Sequence, residues 1–450
     1  MHFVSPHLIS SRFTSRRIRA RRFMQAAMRS TRRQASGSLR RPASFGPIAS
    51  GRAEKDASRR LETGPARASR LPSLPRCAQD ARIAARGTDR LCQPADRLRS
   101  HPTVDRHDEK GKSMQIRHVA SRAMSAAALT LALAAAASSN ARASASLPAL
   151  RADARQVSVS GLSSGAFMAV QYQVAYSASV IGAGVVAGGP YYCAKGKLAN
   201  TKNCMQGMPD TEQLMTRARD FEASGQIDPL ANLKHAKVYL FSGTKDAVVS
   251  QPVVDATWSF FWLAGVPAAN LAYVVDVPAG HAFVTPAAGG VCSANATPFI
   301  NHCTVSQAGY DQAGALLQAI YGPLSPPVAQ PAGRAITFNQ REFAPVASGL
   351  AKDGYAYVPR ACDANAGCKV HVVFHGCLQS ADVVRDMTTY RNWADANDIV
   401  VLYPQVAADL PVNPQGCWDW FAYTGQEYAL KSGAQMRAVR KMIERVTSSH

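Results

Sequence analysis

Between residues 157 and 277, short apolar and β-branched runs alternate with longer stretches of helical period. The runs at 157–160, 180–187, 237–242 and 271–277 predict strands, and 211–224 and 252–263 predict helices, the second carrying Trp258 and Trp262. Most of these runs are continuously apolar, which marks strands buried on both faces. Their alternation with helices implies a largely parallel sheet covered on two sides. Residues 191–209 read as a Cys-stapled insertion rich in Lys and Asn. Residues 322–333 (Gly-Pro-Leu-Ser-Pro-Pro-Val-Ala-Gln-Pro-Ala-Gly) break the alternation and predict an extended linker. Beyond it, 336–343 and 354–359 read as hairpin-type strands, 369–374 and 399–403 as core strands, and 435–446 as an amphipathic helix.

The first 113 residues lack this pattern. They hold 26 Lys and Arg, 23 of them Arg, against 9 acidic residues, whereas residues 144–450 hold 22 basic and 21 acidic ones. The net charge of +21 therefore belongs to the leader, and the near-neutral body is not expected to bind nucleic acid. A segment so poor in apolar side chains cannot offset its ordering entropy, so 1–113 is expected to be disordered. Three readings of it stand: a basic arm for polyanions, an Arg-rich transit-like peptide, or sequence upstream of a true start at Met114. The last is preferred. Arg21-Arg22-Phe23 lacks the apolar run that a twin-Arg signal needs. From Met114 the parts of a secretory signal follow in order. Arg117, His118 and Arg122 form a basic start, 123–137 an apolar stretch, and Ala141-Arg142-Ala143 and Ala143-Ser144-Ala145 two small-residue cleavage sites. The apolar stretch is shorter than the about 20 residues that span a bilayer. A cleaved signal at 114–145 is expected, with a secreted, soluble body (extracellular or periplasmic) that has no stable membrane insertion.

Cysteine usage agrees. Cys77 and Cys92 lie in the leader, and eight remain in the body: Cys193, Cys204, Cys292, Cys303, Cys362, Cys368, Cys377 and Cys417. An even count in an exported chain predicts a disulfide framework. The count permits many connectivities; pairing sequence neighbours gives 193–204, 292–303, 362–368 and 377–417. No Cys-x-x-Cys or His-x-x-x-His spacing occurs, and no metal site is expected.

The chemistry centres on Val157-Ser158-Val159-Ser160-Gly161-Leu162-Ser163-Ser164-Gly165-Ala166-Phe167-Met168, a strand that runs through Gly-x-Ser-x-Gly into a helix. That context is a nucleophile elbow: the glycines permit a sharp turn that lifts Ser163 Oγ to the carboxyl end of the sheet, with the Ser164 N–H as an oxyanion donor. Asp246, in Gly243-Thr244-Lys245-Asp246, and His281, in Gly280-His281-Ala282-Phe283, each follow a predicted strand, as Ser163 does. The order Ser, Asp, His is that of α/β-hydrolases. His281 is the expected general base and Asp246 the residue that holds its tautomer. Asp255 and Asp276 compete for the acid, but one lies in a predicted helix and the other within or at the end of a strand. His235, His302 and His371 lack a post-strand loop.

The strand 369–374 ends in His375-Gly376-Cys377, where α/β-hydrolases place the second oxyanion donor, yet it comes after the nucleophile rather than before it. Circular permutation resolves this: the C-terminal segment supplies the opening strands, and 322–333 joins the old ends. A single domain over 146–450 follows. Cys377 is expected to give its backbone N–H; the rival reading makes its thiol a nucleophile beside His375.

Gly161-Leu162-Ser163-Ser164-Gly165-Ala166-Phe167-Met168, Gly243-Thr244-Lys245-Asp246, Gly280-His281-Ala282-Phe283 and His375-Gly376-Cys377 together resemble the poly(3-hydroxybutyrate) depolymerase family, in particular its single-domain, circularly permuted members. The resemblance covers residues 150–447. It implies an α/β-hydrolase fold and cofactor-free ester hydrolysis through an acyl-enzyme. Ser163, Asp246 and His281 would be the triad, and the Ser164 and Cys377 N–H groups the oxyanion hole. The expected substrate is poly(3-hydroxybutyrate) or its short oligomers. Trp418 and Trp420, in Cys417-Trp418-Asp419-Trp420-Phe421, are expected to rim the cleft and contact substrate, with His375 beside them. No separate polymer-binding domain is expected, which favours amorphous polymer or soluble oligomers. The alternatives are a feruloyl or acetyl esterase for plant polysaccharide, a polyanion-binding protein using the basic arm, and a non-catalytic granule binder. The oligomeric state is not legible.

Overall fold

A computed structural model describes residues 144–364 and 366–449. The leader and all but the last two residues of the signal segment lie outside this range. The described chain builds an eight-stranded sheet from β1 (Val157–Leu162), β2 (Val180–Val186), β3 (Lys237–Phe241), β4 (Leu271–Val274), β5 (Arg334–Asn339), β6 (Asp353–Val358), β7 (Lys369–Phe374) and β8 (Ile399–Tyr403). Their order across the sheet is β4-β3-β2-β1-β7-β8-β6-β5. From β4 to β8 every pairing is parallel; β6 is antiparallel to both β8 and β5. β1, at the centre, is buried at every position, as a strand covered on both faces must be.

Strand order bears out the permutation. Counted from β5 and continued through β1, the strands read 1-2-4-3-5-6-7-8 across the sheet, with an antiparallel second strand. The two ends of the body lie together at one side. Leu150 and Ala152 donate to Val446 O at 3.1 Å each, in the C-terminal helix Ala434–Thr447, while Ala145 pairs with edge strand β5. Residues 322–333 are extended and lie along the helix Tyr390–Ala396. Val328 N–H donates to Asn392 O at 3.1 Å, and the Asp395 carboxylate accepts from Ala332 N–H at 2.9 Å.

Not every element follows the pattern, and the expected strand 336–343 ends at Asn339, with Gln340–Glu342 in a 3-10 turn. β4 stops at Val274, because the Val277 and Ala279 carbonyls instead accept from the N–H groups of Thr244 and Lys245, at 2.9 and 3.0 Å. The helix Gln312–Tyr321 is not among the expected elements, although Ala313, Leu316, Leu317 and Ile320 are buried at helical spacing. It packs so closely on Trp393 that a Cβ at Gly314 would lie 2.3 Å from the indole. The four disulfides join Cys193 to Cys204, Cys292 to Cys303, Cys362 to Cys368 and Cys377 to Cys417, the sequence-neighbour pairing. Among the described residues no helix is long and apolar enough to cross a membrane.

Candidate active site

Ser163 stands between β1 and the helix α1 (Ser164–Ala175) with φ 56° and ψ −121°. A residue with a Cβ pays on the order of 1–3 kcal/mol to stay in such a region. The turn is over-determined: Ser163 N–H donates to Val186 O at 3.0 Å, and its carbonyl accepts from Ala166 and Phe167 in the first helical turn. Gly161 and Gly165 make the turn possible. A Cβ on Gly161 would lie 2.4 Å from the Gly165 carbonyl carbon, and one on Gly165 would lie 2.2 Å from Phe374 O and 2.5 Å from His375 O. The start of α1 thus rests against Phe374 and His375 at the end of β7, just before Cys377. No acceptor among the described residues takes up the Ser164 or Cys377 N–H.

Asp246 and His281 leave the same carboxyl-end rim of the parallel run, beyond β3 and β4. His281 Nδ1 lies 2.9 Å from Asp246 Oδ2, and both side chains are almost wholly buried. Asp246 Oδ1 accepts the Val248 and Val249 N–H groups, at 2.8 Å each, which leaves Oδ2 to the imidazole. With Nδ1 donating to a carboxylate, Nε2 is the nitrogen free to take a proton. The His281 ring packs edge-on to Phe299. The competing acids are placed elsewhere: Asp255 Oδ1 accepts the Tyr273 hydroxyl at 2.6 Å, and Asp276 is exposed. His235 and His302 are exposed.

A serine–histidine contact lies elsewhere, buried inside the sheet. Ser158 Oγ and Ser160 Oγ meet the two ring nitrogens of His371 at 2.6 and 2.7 Å, with Tyr321 and Tyr390 behind them. All three of Ser158, Ser160 and His371 are fully buried inside β1 and β7. Burial pushes the His371 pKa down to about 3, so the ring is neutral. These side chains satisfy one another across the pair of strands that carries Ser163 and the Cys377 turn.

The expected substrate contacts are corrected. Trp418 is 0% exposed, packed edge-on to Phe374 with its backbone N–H on Ser164 Oγ at 3.3 Å. Trp420 is buried and stacks on Phe167 at 4.4 Å. The rings turn inward because that loop is stitched to α1 and β7, so both are core rather than rim. His375 is buried too: Nδ1 donates to Gly376 O at 2.8 Å, Nε2 accepts Val406 N–H at 3.0 Å, and burial pushes its pKa down to about 4. It shapes the turn. The Cys377 sulfur is tied to Cys417 and is no nucleophile. Leu378, next to Cys377, is exposed, as are Leu410 and Val412 in the segment leading to Cys417, which is bonded to Cys377. Sequence reasoning passed over them, as it did Asn295, which accepts the His281 N–H, and Gln379, which accepts the Gly376 N–H. An isolated loop Asn, Gln or Leu carries no pattern.

No protein-family model matches the chain. The chain is 47% identical over 316 residues to a poly(3-hydroxybutyrate) depolymerase of Delftia acidovorans, a match that covers 67% of this chain and 62% of that protein. It is 35% identical over 325 residues to a polyhydroxybutyrate depolymerase of Talaromyces funiculosus, covering 67% of this chain and 93% of the relative. Among solved structures it is similar to a PHB depolymerase from Penicillium funiculosum, with a TM-score of 0.62 and 34% identity over 67% of this chain and 98% of the other. It is likewise similar to a serine-to-alanine PHB depolymerase variant complexed with an R3HB trimer, with a TM-score of 0.62, 33% identity and the same coverage. The chain thus spans less than two thirds of the Delftia protein and nearly all of the others.

Proposed function

The chain belongs to the polyhydroxybutyrate depolymerase family, and from that premise we propose that it is a serine esterase cleaving poly(3-hydroxybutyrate) or its short oligomers through an acyl-enzyme on Ser163. The observation that carries this reading is the buried Asp246–His281 pair, 2.9 Å apart, on the same strand-end rim as the strained Ser163 turn.

In this reading Ser163 Oγ attacks the ester carbonyl and His281 Nε2 takes its proton, while Asp246 stabilises the imidazolium. The Ser164 and Cys377 N–H groups hold the developing oxyanion, a contribution of the kind that costs about 100- to 1000-fold in rate when one donor is lost. His281 then protonates the departing 3-hydroxyl, and water repeats the steps to release the acid. Leu378, Leu410 and Val412 offer an apolar rim suited to a methyl-bearing polyester. Export through a signal at 114–145 is part of the proposal and agrees with four disulfides.

The test is hydrolysis of poly(3-hydroxybutyrate) film and of the soluble hydroxybutyrate trimer by the parent and by Ser163→Ala, with methyl ferulate alongside. Release of hydroxybutyrate by the parent alone is expected. Cleavage of the trimer but not the film narrows the substrate to oligomers. Turnover of methyl ferulate with neither hydroxybutyrate substrate touched would overturn the substrate assignment and leave a feruloyl esterase.

A further inference from the structure

The acid, the base and the second oxyanion donor sit on three loops remote in sequence, and one segment touches all three: the loop closed by Cys292–Cys303. In it, Asn295 uses both faces of its amide. Oδ1 accepts the N–H groups of Ala247 and His281, at 2.9 and 2.8 Å, and Nδ2 donates to the carbonyls of Lys245 and Ser293, at 3.0 and 3.1 Å. With two bonds accepted and two donated, the amide's usual capacity is filled. Lys245 and Ala247 flank Asp246, so one side chain grips the backbone on both sides of the acid together with the backbone of the base. The loop brackets His281 again through its main chain: Gly280 N–H donates to Cys292 O and Phe283 N–H to Phe299 O, at 2.8 and 2.9 Å.

Gln379 completes the arrangement from the other half of the chain. Its Oε1 accepts the Gly376 N–H at 2.7 Å, inside the turn that presents Cys377, and its Nε2 donates to Pro298 O at 2.7 Å in the same disulfide-closed loop. The turn with the oxyanion donor and the pair with the acid and base are thereby registered against one loop.

We propose that the Cys292–Cys303 loop is the alignment element of the site, with Asn295 and Gln379 as its positioning residues. Asn295 fixes the Asp246–His281 pair, and Gln379 fixes the turn that offers the Cys377 N–H; neither touches substrate. This rests on the esterase reading above. Asn295 is exposed at the surface, so its bonds bear little on global stability. Catalysis is far more sensitive, because a misplacement of about 1 Å costs on the order of 100-fold.

The experiment measures kcat, KM and Tm for the parent, Asn295→Ala, Asn295→Asp and Gln379→Ala, on whichever soluble ester the parent turns over. Asn295→Ala and Gln379→Ala are expected to lower kcat by about 10- to 100-fold, with KM within about twofold and Tm within a few degrees of the parent. Asn295→Asp retains an acceptor for the Ala247 and His281 N–H groups but loses the donor to the Lys245 and Ser293 carbonyls, and is expected to recover part of the loss. Unchanged kcat in Asn295→Ala overturns the proposal. So does a loss of kcat that tracks a large fall in Tm and is not rescued by Asn295→Asp, since that marks a merely structural side chain. A parent without turnover on any ester brings down the esterase reading instead, which keeps the two failures apart.

Discussion

The strain at Ser163 makes a stability prediction that is independent of any substrate. At φ 56° and ψ −121° a Cβ is unfavourable by about 1–3 kcal/mol, while glycine occupies the region at little cost. Ser163→Ala keeps the Cβ and so keeps the strain. Ser163→Gly releases it, against about 0.4–1 kcal/mol for the greater freedom of glycine in the unfolded chain. The glycine variant should therefore be the more stable of the two by about 1 kcal/mol, or about 2–4 °C in Tm for a domain of this size. Urea titration and calorimetry of both purified variants, with disulfides intact, measure the difference, and neither variant should hydrolyse ester. The comparison between two inactive variants removes any contribution of the hydroxyl. An alanine variant as stable as the glycine variant, or more so, would refute the claim that the elbow stores backbone strain.

Two further outcomes follow from packing and burial. Gly165→Ala drives a Cβ to 2.2 Å from Phe374 O, a backbone atom that cannot swing aside, so α1 must lift from the end of β7; expression of folded protein should collapse, or Tm fall by well over the few degrees typical of surface changes. His371 and His375 have folded pKa values lowered by burial to about 3 and about 4, below the unfolded value near 6.5. Their neutral forms support the fold above pH 6.5, and that support is lost as pH falls from 6.5 toward the folded values, at up to about 1.4 kcal/mol per pH unit for each histidine. Denaturant titrations at pH 7.5, 6 and 5 should show it, and a His371→Gln variant, though weaker at pH 7.5, should lose less stability on acidification than the parent.

How much of the site was legible depended on how local each signal is. Ser163, Asp246 and His281 stand out as candidates because each sits in a short turn after an apolar run, and the disulfides because sequence neighbours close small loops. Trp418 and Trp420 misled for the opposite reason. A tryptophan in a loop near the site reads as a contact surface, but which way the ring turns depends on Ser164, Phe167 and Phe374, which lie elsewhere in the chain. Asn295 and Gln379 gave no signal at all, since Lys245, Ala247 and Pro298, which they tie to the site, lie 48 to 81 residues away and any polar loop residue looks the same in sequence.

The sequence by itself determined the class of fold, the strands of the sheet's centre and the turn chemistry of the elbow, because apolar period and glycine placement act over a few residues. The position of His375-Gly376-Cys377 after Ser163 even implied the permuted order. The tertiary structure alone decided that β7 lies against β1, that α1 rests on the end of β7, and that one disulfide-closed loop reaches the backbone beside Asp246, His281 and the turn at Gly376-Cys377. Those relations are set by packing between segments up to some two hundred residues apart, where only the three-dimensional closure of the sheet brings the partners within hydrogen-bond reach.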